Sequence, residues 1–353
     1  MHEIETVGYC YRMLKDMFNV QAGDNVAITY DTESCEELAL ATAQAAYMLG
    51  GKPLLLKNAL TRGPGREGDP DLPLEMLIGC LSKADVWVEY NKHNIYSSTV
   101  FNTVEKNNKK CRYLLLLGMD TGGMKRLIGS VNMPALTELT KKVTDLTIKA
   151  KHMRITSPMG TDIEFDNVAD RPVSVEDGII LPGEYKMVPG QISWTPDFDS
   201  INGKIVGELS MIPSPALDAP VTLTIEKGYI TKIEGGSSAA EIDAYFKAFN
   251  DPDMYRMAHV SYGFNPGAKP GHGVVEDERI WGGVCFGFGN IDPTLIKGSQ
   301  LDKDNPDGLH CDGHTDAMCT QTTITLDGKL IFKDGELVGP TEEIREMGKK
   351  CFA

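Results

Sequence analysis

The chain has 353 residues, about twice the length of a common domain, so two domains are expected. Apolar residues make up 41% and charged residues 24%, a balance typical of globular proteins that argues against a disordered, collagen-like or membrane protein. The formal net charge is -15, with lysine and arginine scattered along the chain, which argues against nucleic acid and anionic membranes as partners.

The expected compartment is the cytoplasm. Residues 1–5 show no basic stretch followed by an apolar run, as a secretory signal would. The apolar run at residues 113–117 falls far short of the roughly 20 residues that span a bilayer. The eight cysteines form no CxxC pair, so reduced thiols are expected.

The first part of the chain alternates helix and strand patterns. Amphipathic spacing predicts a helix over residues 3–17. Helices are also expected over the alanine-rich residues 34–48 and over residues 133–149. Short apolar runs predict strands over residues 26–30, 53–56, 85–89 and 112–117. This alternation predicts an α/β N-terminal domain over residues 1–150, with a doubly wound, mostly parallel sheet. No glycine-rich phosphate-binding motif occurs, so nucleotide binding is not expected.

The pattern changes near residue 150, where short β-rich runs broken by glycine and proline begin. Residues 221–230 alternate with period two around Lys227-Gly228, and residues 323–337 contain Asp327-Gly328, so each predicts a hairpin. A helix is expected over residues 240–249. The second domain, residues 151–353, is therefore predicted to be α+β, β-rich and metal-binding.

Metal-ligand residues are concentrated in this second domain. Four of the seven histidines occur in the segment that begins at His259 and ends at His314. In an extended segment His314 and Asp316 point to the same side, and His259, in a segment with the pattern of a buried strand, is the candidate third ligand. Two histidines and one carboxylate are the usual ligands of non-haem Fe(II) oxygenases. A Zn(II) hydrolase can use the same ligands.

From Val221 to about Pro340 the sequence resembles the 2,5-dihydroxypyridine 5,6-dioxygenases of bacterial nicotinate degradation, and more distantly the aminopeptidases of peptidase family M29. The matching passages keep their order and spacing: Leu223–Thr231, Tyr245–Pro252, His259 with Gly263, Asp277–Arg279 and His314–Asp316. The resemblance implies a mononuclear Fe(II) extradiol-type dioxygenase whose iron is bound by His259, His314 and Asp316. It also implies a hydroxylated N-heteroaromatic substrate such as 2,5-dihydroxypyridine, dioxygen as co-substrate, and a homo-oligomer.

Three further residues are candidates for the reaction. The resemblance places Arg279 near the substrate, where a guanidinium neutralises a ring oxygen anion. An ion pair with neighbouring carboxylates is the other interpretation of Arg279. His310 and Tyr262 are candidates for the base that accepts the hydroxyl proton of the substrate.

Two other functions remain open from the sequence. The first is a mononuclear metallohydrolase, M29 aminopeptidase-like or acting on cyclic amides, with Zn(II) or Mn(II) on the same three residues. The dinuclear M29 enzymes need a further histidine where this chain has Gly282–Cys285, so loss of the second metal site is expected. The other is a binding protein without catalysis, whose ligand affinity would survive His314→Ala.

Overall fold

The structure, a computed structural model, describes residues 2–214 and 216–352. It divides into two compact units. The first runs to Pro134 and includes Gly178–Pro189, and the second contains Ala135–Asp177 and the chain from Gly190 onward. Among the described residues, no helix has both the length and the apolar character needed to cross a membrane.

Helices occur in both units, and the helices predicted near residues 3–17, 34–48 and 133–149 are confirmed. The first continues as a π-helical turn, Met13–Met17. Ser98 begins another helix, where its hydroxyl oxygen accepts a hydrogen bond from the Phe101 backbone N–H at 3.2 Å. The α-helices are α1 (His2–Arg12), α2 (Glu36–Met48), α3 (Leu74–Leu81), α4 (Thr99–Asn107), α5 (Thr121–Met124), α6 (Met133–Thr147), α7 (Ser237–Ala248), α8 (Val274–Asp277), α9 (Gln300–Asp304) and α10 (Glu342–Cys351).

Strands likewise occur in both units and form three sheets. They are β1 (Asn25–Asp31), β2 (Lys52–Asn58), β3 (Val86–Glu89), β4 (Arg112–Leu115), β5 (His152–Thr156), β6 (Asp162–Asp166), β7 (Val173–Glu176), β8 (Tyr185–Lys186), β9 (Gln191–Trp194), β10 (Asn202–Gly207), β11 (Val221–Glu226), β12 (Tyr229–Glu234), β13 (Met257–Gly263), β14 (Val284–Gly289), β15 (His314–Cys319), β16 (Thr323–Leu326), β17 (Lys329–Lys333) and β18 (Glu336–Leu337).

The first unit contains a five-stranded sheet in the order β2-β1-β3-β4-β8, and all its strand pairs are parallel. The four strands predicted from apolar runs are confirmed. Residues 26–31 of β1 are all buried, which explains why this strand has a continuous apolar run without alternation. The edge strand β8 was not predicted, because two residues carry no periodic signal.

The second unit contains two antiparallel sheets. One has eight strands in the order β12-β11-β10-β6-β5-β16-β17-β18, and the other has five in the order β15-β14-β13-β9-β7. The predicted hairpins β11–β12 and β16–β17 are confirmed. Both turn residues have positive φ in Lys227-Gly228 and in Asp327-Gly328, as two-residue hairpin turns require.

The two compact units do not meet at the predicted domain boundary near residue 150. Most of α6 belongs to the second unit. At its end, the Asn167 side-chain amide donates hydrogen bonds to the carbonyl oxygens of Thr147, 3.2 Å away, and Ala150, 3.1 Å away. Gly178–Pro189 belongs to the first unit because it carries β8. The predicted ranges 1–150 and 151–353 therefore differ from the compact units at both places.

Candidate metal centre

The three predicted ligands lie on neighbouring strands of the five-stranded antiparallel sheet. His259 on β13 is opposite Gly287 on β14, and Gly287 is opposite Asp316 on β15. His314 lies two residues before Asp316, so its side chain projects from the same face of the sheet. A β-bulge between Met257 and His259 sets this register. The sheet therefore brings His259 together with His314 and Asp316, which follow it by 55 and 57 residues in the sequence.

Gly287 provides the space in which these side chains meet. A Cβ atom at this position would lie 2.2 Å from Cε1 and 2.4 Å from Nδ1 of His259. Carbon atoms in contact are normally separated by about 3.5–4.0 Å, so no other residue fits while the imidazole keeps this position. Gly287 was not among the site residues predicted from the sequence. Its signal is a glycine inside an otherwise apolar strand, which often marks a close approach by another group.

The distances within the triad fit a single metal ion. Asp316 Oδ1 lies 3.5 Å from His259 Nε2 and 3.3 Å from His314 Nε2. The two imidazole rings are nearly parallel, with 5.4 Å between their centroids. One ligand atom from each residue lies within 4.8 Å of the other two. The His314 side chain is the most exposed of the three, at 33%, against 16% for His259 and 9% for Asp316.

His314 is oriented by the backbone. Its Nδ1 lies 3.1 Å from the carbonyl oxygen of Asn290, to which it donates a hydrogen bond. A histidine fixed in this way keeps Nε2 for a metal, and such hydrogen bonds are the usual support of metal-bound histidines. The Asn290 carbonyl therefore selects the Nε2 atom that faces Asp316.

Burial and mutual attraction shift the pKa values of all three triad residues. Burial lowers the pKa of His259 to about 4, against the attraction of Asp316, so this imidazole is neutral at pH 7. Burial also opposes the charged form of His314, but Asp316 outweighs it and raises the pKa of His314 to about 9. Burial opposes ionisation of Asp316 too, yet His314 keeps the pKa of this carboxyl well below its usual value. Without metal, a proton on His314 balances Asp316.

Glu278 and Cys285 form a second group of candidate ligand atoms with Asp316. The Cys285 thiol is fully buried and donates a hydrogen bond of 3.3 Å to Asp316 Oδ1. Burial raises the pKa of Cys285 well above its usual value, and burial likewise raises the pKa of Glu278. Neither residue was singled out from the sequence as a site residue, because no spacing relates them to the triad.

Arg279 forms an ion pair with its neighbour Glu278 and is only 1% exposed. Its Nη1 also donates a hydrogen bond of 3.0 Å to the Val275 carbonyl oxygen. Glu278 accepts a further hydrogen bond of 3.2 Å from Gln191 Nε2. The guanidinium is thus linked to the triad through Glu278, an arrangement that matches the ion-pair interpretation of Arg279.

The two candidate bases, Tyr262 and His310, lie in different surroundings. Tyr262 is three residues after His259 on β13, so it projects from the opposite face, where it packs edge-on against Trp194 with 4.9 Å between ring centroids. Its hydroxyl meets Met153 Sδ at 3.7 Å in the core, and burial raises its pKa. His310 is exposed on the loop that precedes β15.

Residues 7–339 match the sequence profile of the 2,5-dihydroxypyridine 5,6-dioxygenase family. A curated 2,5-dihydroxypyridine 5,6-dioxygenase from Pseudomonas putida KT2440 is 29% identical over 203 residues, which cover 55% of this chain and 56% of that protein. The match thus spans little more than half the length of this relative.

Two solved structures share the fold. The 2,5-dihydroxypyridine dioxygenase from Pseudomonas putida KT2440 superimposes with a TM-score of 0.76 at 22% identity, over 97% of this chain and 99% of that one. Wild-type AmpT from Thermus thermophilus gives a TM-score of 0.68 at 12% identity, over 96% and 100% of the two chains. The profile covers most of the chain, and the chain belongs to the 2,5-dihydroxypyridine 5,6-dioxygenase family.

Proposed function

We propose that the protein is a mononuclear Fe(II) dioxygenase that cleaves the ring of a hydroxylated N-heteroaromatic such as 2,5-dihydroxypyridine. The observation that carries this proposal is the convergence of His259, His314 and Asp316 on one face of the sheet. Family membership supports dioxygenase chemistry. Two histidines and one carboxylate leave open positions on a ferrous ion, which is the arrangement that ring-cleaving oxygenases use.

The residues present fit Fe(II) by their donor set. When bound, the ion would activate dioxygen and polarise the hydroxylated substrate. The histidines would supply neutral nitrogen donors and Asp316 one negative charge, so the loaded centre keeps a net charge of about +1 for an anionic substrate. Because the His314 proton must leave before its Nε2 can bind metal, loading and proton release are linked.

Around this centre, we propose different roles for Arg279 and His310. Arg279 is buried and paired with Glu278, which supports a positioning role through that carboxylate in place of direct contact with the substrate anion. His310 is the better candidate for the proton acceptor, since it is exposed on the loop before β15 while Tyr262 is enclosed in the core.

An oxygen-electrode assay tests the proposal. The protein is purified without oxygen, loaded with Fe(II) and mixed with 2,5-dihydroxypyridine. We expect oxygen uptake that disappears in His259→Ala and His314→Ala and persists in His272→Ala, a matched change at an exposed loop histidine of the same unit. Uptake that survives His314→Ala contradicts the assignment of the ligands.

A mononuclear metallohydrolase is the second candidate. The observation that favours it is Glu278, a carboxylate beside the triad, since metal hydrolases use such a group to accept the proton of an attacking water. Zn(II) or Mn(II) would then occupy the same ligands. One tightly bound Zn(II), hydrolysis of a peptide or cyclic amide and no oxygen uptake would replace the dioxygenase proposal with this one.

A further inference from the structure

An apolar stripe runs along the outer face of α1. Ile4, Val7, Gly8 and Tyr11 line one groove together with Met48 of α2. The four α1 positions follow the i, i+3, i+4, i+7 spacing that places residues on one side of a helix. Ile4 is 82% exposed. A surface helix normally turns such a stripe toward its own core, whereas this stripe on α1 faces outward.

The neighbouring helix extends this apolar surface. α2 exposes Leu40, Tyr47 and Met48, at 45%, 75% and 64% of their surfaces. Leu40 and Tyr47 are seven residues apart and therefore lie on the same side of α2. Large apolar side chains that are exposed side by side often mark an interaction site. We call this surface, made by the outer residues of α1 and α2, the α1–α2 face.

Gly8 lies at the centre of the α1 stripe. A Cβ atom there would meet nothing within 4 Å, so packing within the chain does not require glycine at this position. Glycine in the middle of a helix costs about 1 kcal/mol relative to alanine. A small residue does allow a second helix to approach closely. Gly8 therefore suits a helix–helix contact made from outside.

One acidic and one basic residue of α1 flank the stripe, so two antiparallel copies of α1 would place opposite charges against each other. Glu5 and Arg12 are both exposed, and Gly8 lies between them on the same side of α1. If two copies of α1 cross antiparallel near Gly8, about a two-fold axis, Glu5 of each copy faces Arg12 of the other. A two-fold contact repeats each interaction, so one helix supplies two opposite-charge pairs.

We propose that the α1–α2 face joins two copies of this chain through a two-fold contact in which α1 crosses its symmetry mate at Gly8. A stable interface takes roughly 800 Å² from each partner, more than one eleven-residue helix provides, so the exposed side chains of α2 form part of the contact. The chain carries a net charge of -15, which opposes association elsewhere on its surface and favours a face where the charges match.

A charge-swap experiment on the full-length protein tests the proposal by sedimentation over a range of concentrations. Glu5→Arg and Arg12→Glu each place like charges against each other twice across the axis. We expect each to raise the dissociation constant at least about tenfold. The double variant restores both pairs in reverse, and its dissociation constant should return to within about threefold of the original.

Glu75→Arg is the matched control, because it makes the same charge change at an exposed position of α3. It should leave the dissociation constant unchanged, and circular dichroism melts should show that every variant folds. A wild-type chain that is monomeric at all concentrations overturns the proposal. So does a double variant that dissociates as readily as the single variants, or a control that weakens association equally.

Discussion

Replacing Gly287 by alanine would displace His259 from the metal centre. The added methyl group would lie 2.2 Å from Cε1 and 2.4 Å from Nδ1 of His259. Carbon atoms separate to about 3.5 Å or more, so the imidazole must retreat by more than about 1 Å. Metal–ligand distances tolerate only about 0.2 Å. We therefore expect iron affinity to fall at least about 100-fold, and overpacking to cost about 1–3 kcal/mol of stability.

Iron titration under anaerobic conditions measures the loss of affinity, and urea unfolding measures the loss of stability. Gly79→Ala serves as a control, because a Cβ atom at this helical position meets nothing within 4 Å. It should leave iron binding unchanged and preserve or slightly raise the free energy of unfolding. Any loss of iron binding in Gly287→Ala can then be assigned to the site.

A double-mutant cycle isolates the clash itself. In the His259→Ala background the imidazole is gone, so Gly287→Ala should cost at least about 1 kcal/mol less in the free energy of unfolding than it does in the original protein. Equal costs in the two backgrounds, or unchanged iron affinity in Gly287→Ala alone, would refute the reasoning that Gly287 makes room for His259.

Three further results are expected. Metal binding near pH 7 should release about one proton, from His314, which calorimetry in buffers of different ionisation enthalpy would measure. The affinity for the metal should therefore rise by up to about tenfold per pH unit until the pH approaches 9. A pH-independent affinity would contradict this. Arg279→Met should lower the free energy of unfolding by about 3–5 kcal/mol in urea, because Glu278 loses its cation; a loss below about 1 kcal/mol would refute this. Tyr262→Phe should leave the rate of oxygen uptake within about threefold of the original, because the Tyr262 hydroxyl lies in the core. A fall of about 100-fold or more would show that this hydroxyl takes part in catalysis.

The sequence predicted the elements that have a periodic signal. The His314-Thr315-Asp316 spacing indicated two ligands on one side of an extended segment, and β15 has this conformation. The apolar surroundings of His259 indicated a buried strand, and β13 is one. The two strand predictions are confirmed, and they were possible because side-chain direction in a strand depends on local alternation alone.

Features that depend on contacts between distant segments could not be predicted in this way. The need for glycine at position 287 arises from the imidazole of His259 on the adjacent strand, which sequence spacing does not show. Glu278 reaches the vicinity of Asp316 from the segment after a short helix, and no periodicity relates the two. The two-residue strand β8 joins the first sheet about 70 residues after β4, beyond the range of any local pattern.

The most direct test of the proposed function follows the atoms of dioxygen into the product. The iron-loaded protein is given 2,5-dihydroxypyridine and isotopically heavy dioxygen in ordinary water, and the product is analysed by mass spectrometry. A ring-cleaving dioxygenase places both heavy oxygen atoms in the ring-opened product and consumes one dioxygen per substrate. A product that takes its new oxygen from water, with no dioxygen consumed, would contradict the dioxygenase function and favour hydrolysis at the same metal centre.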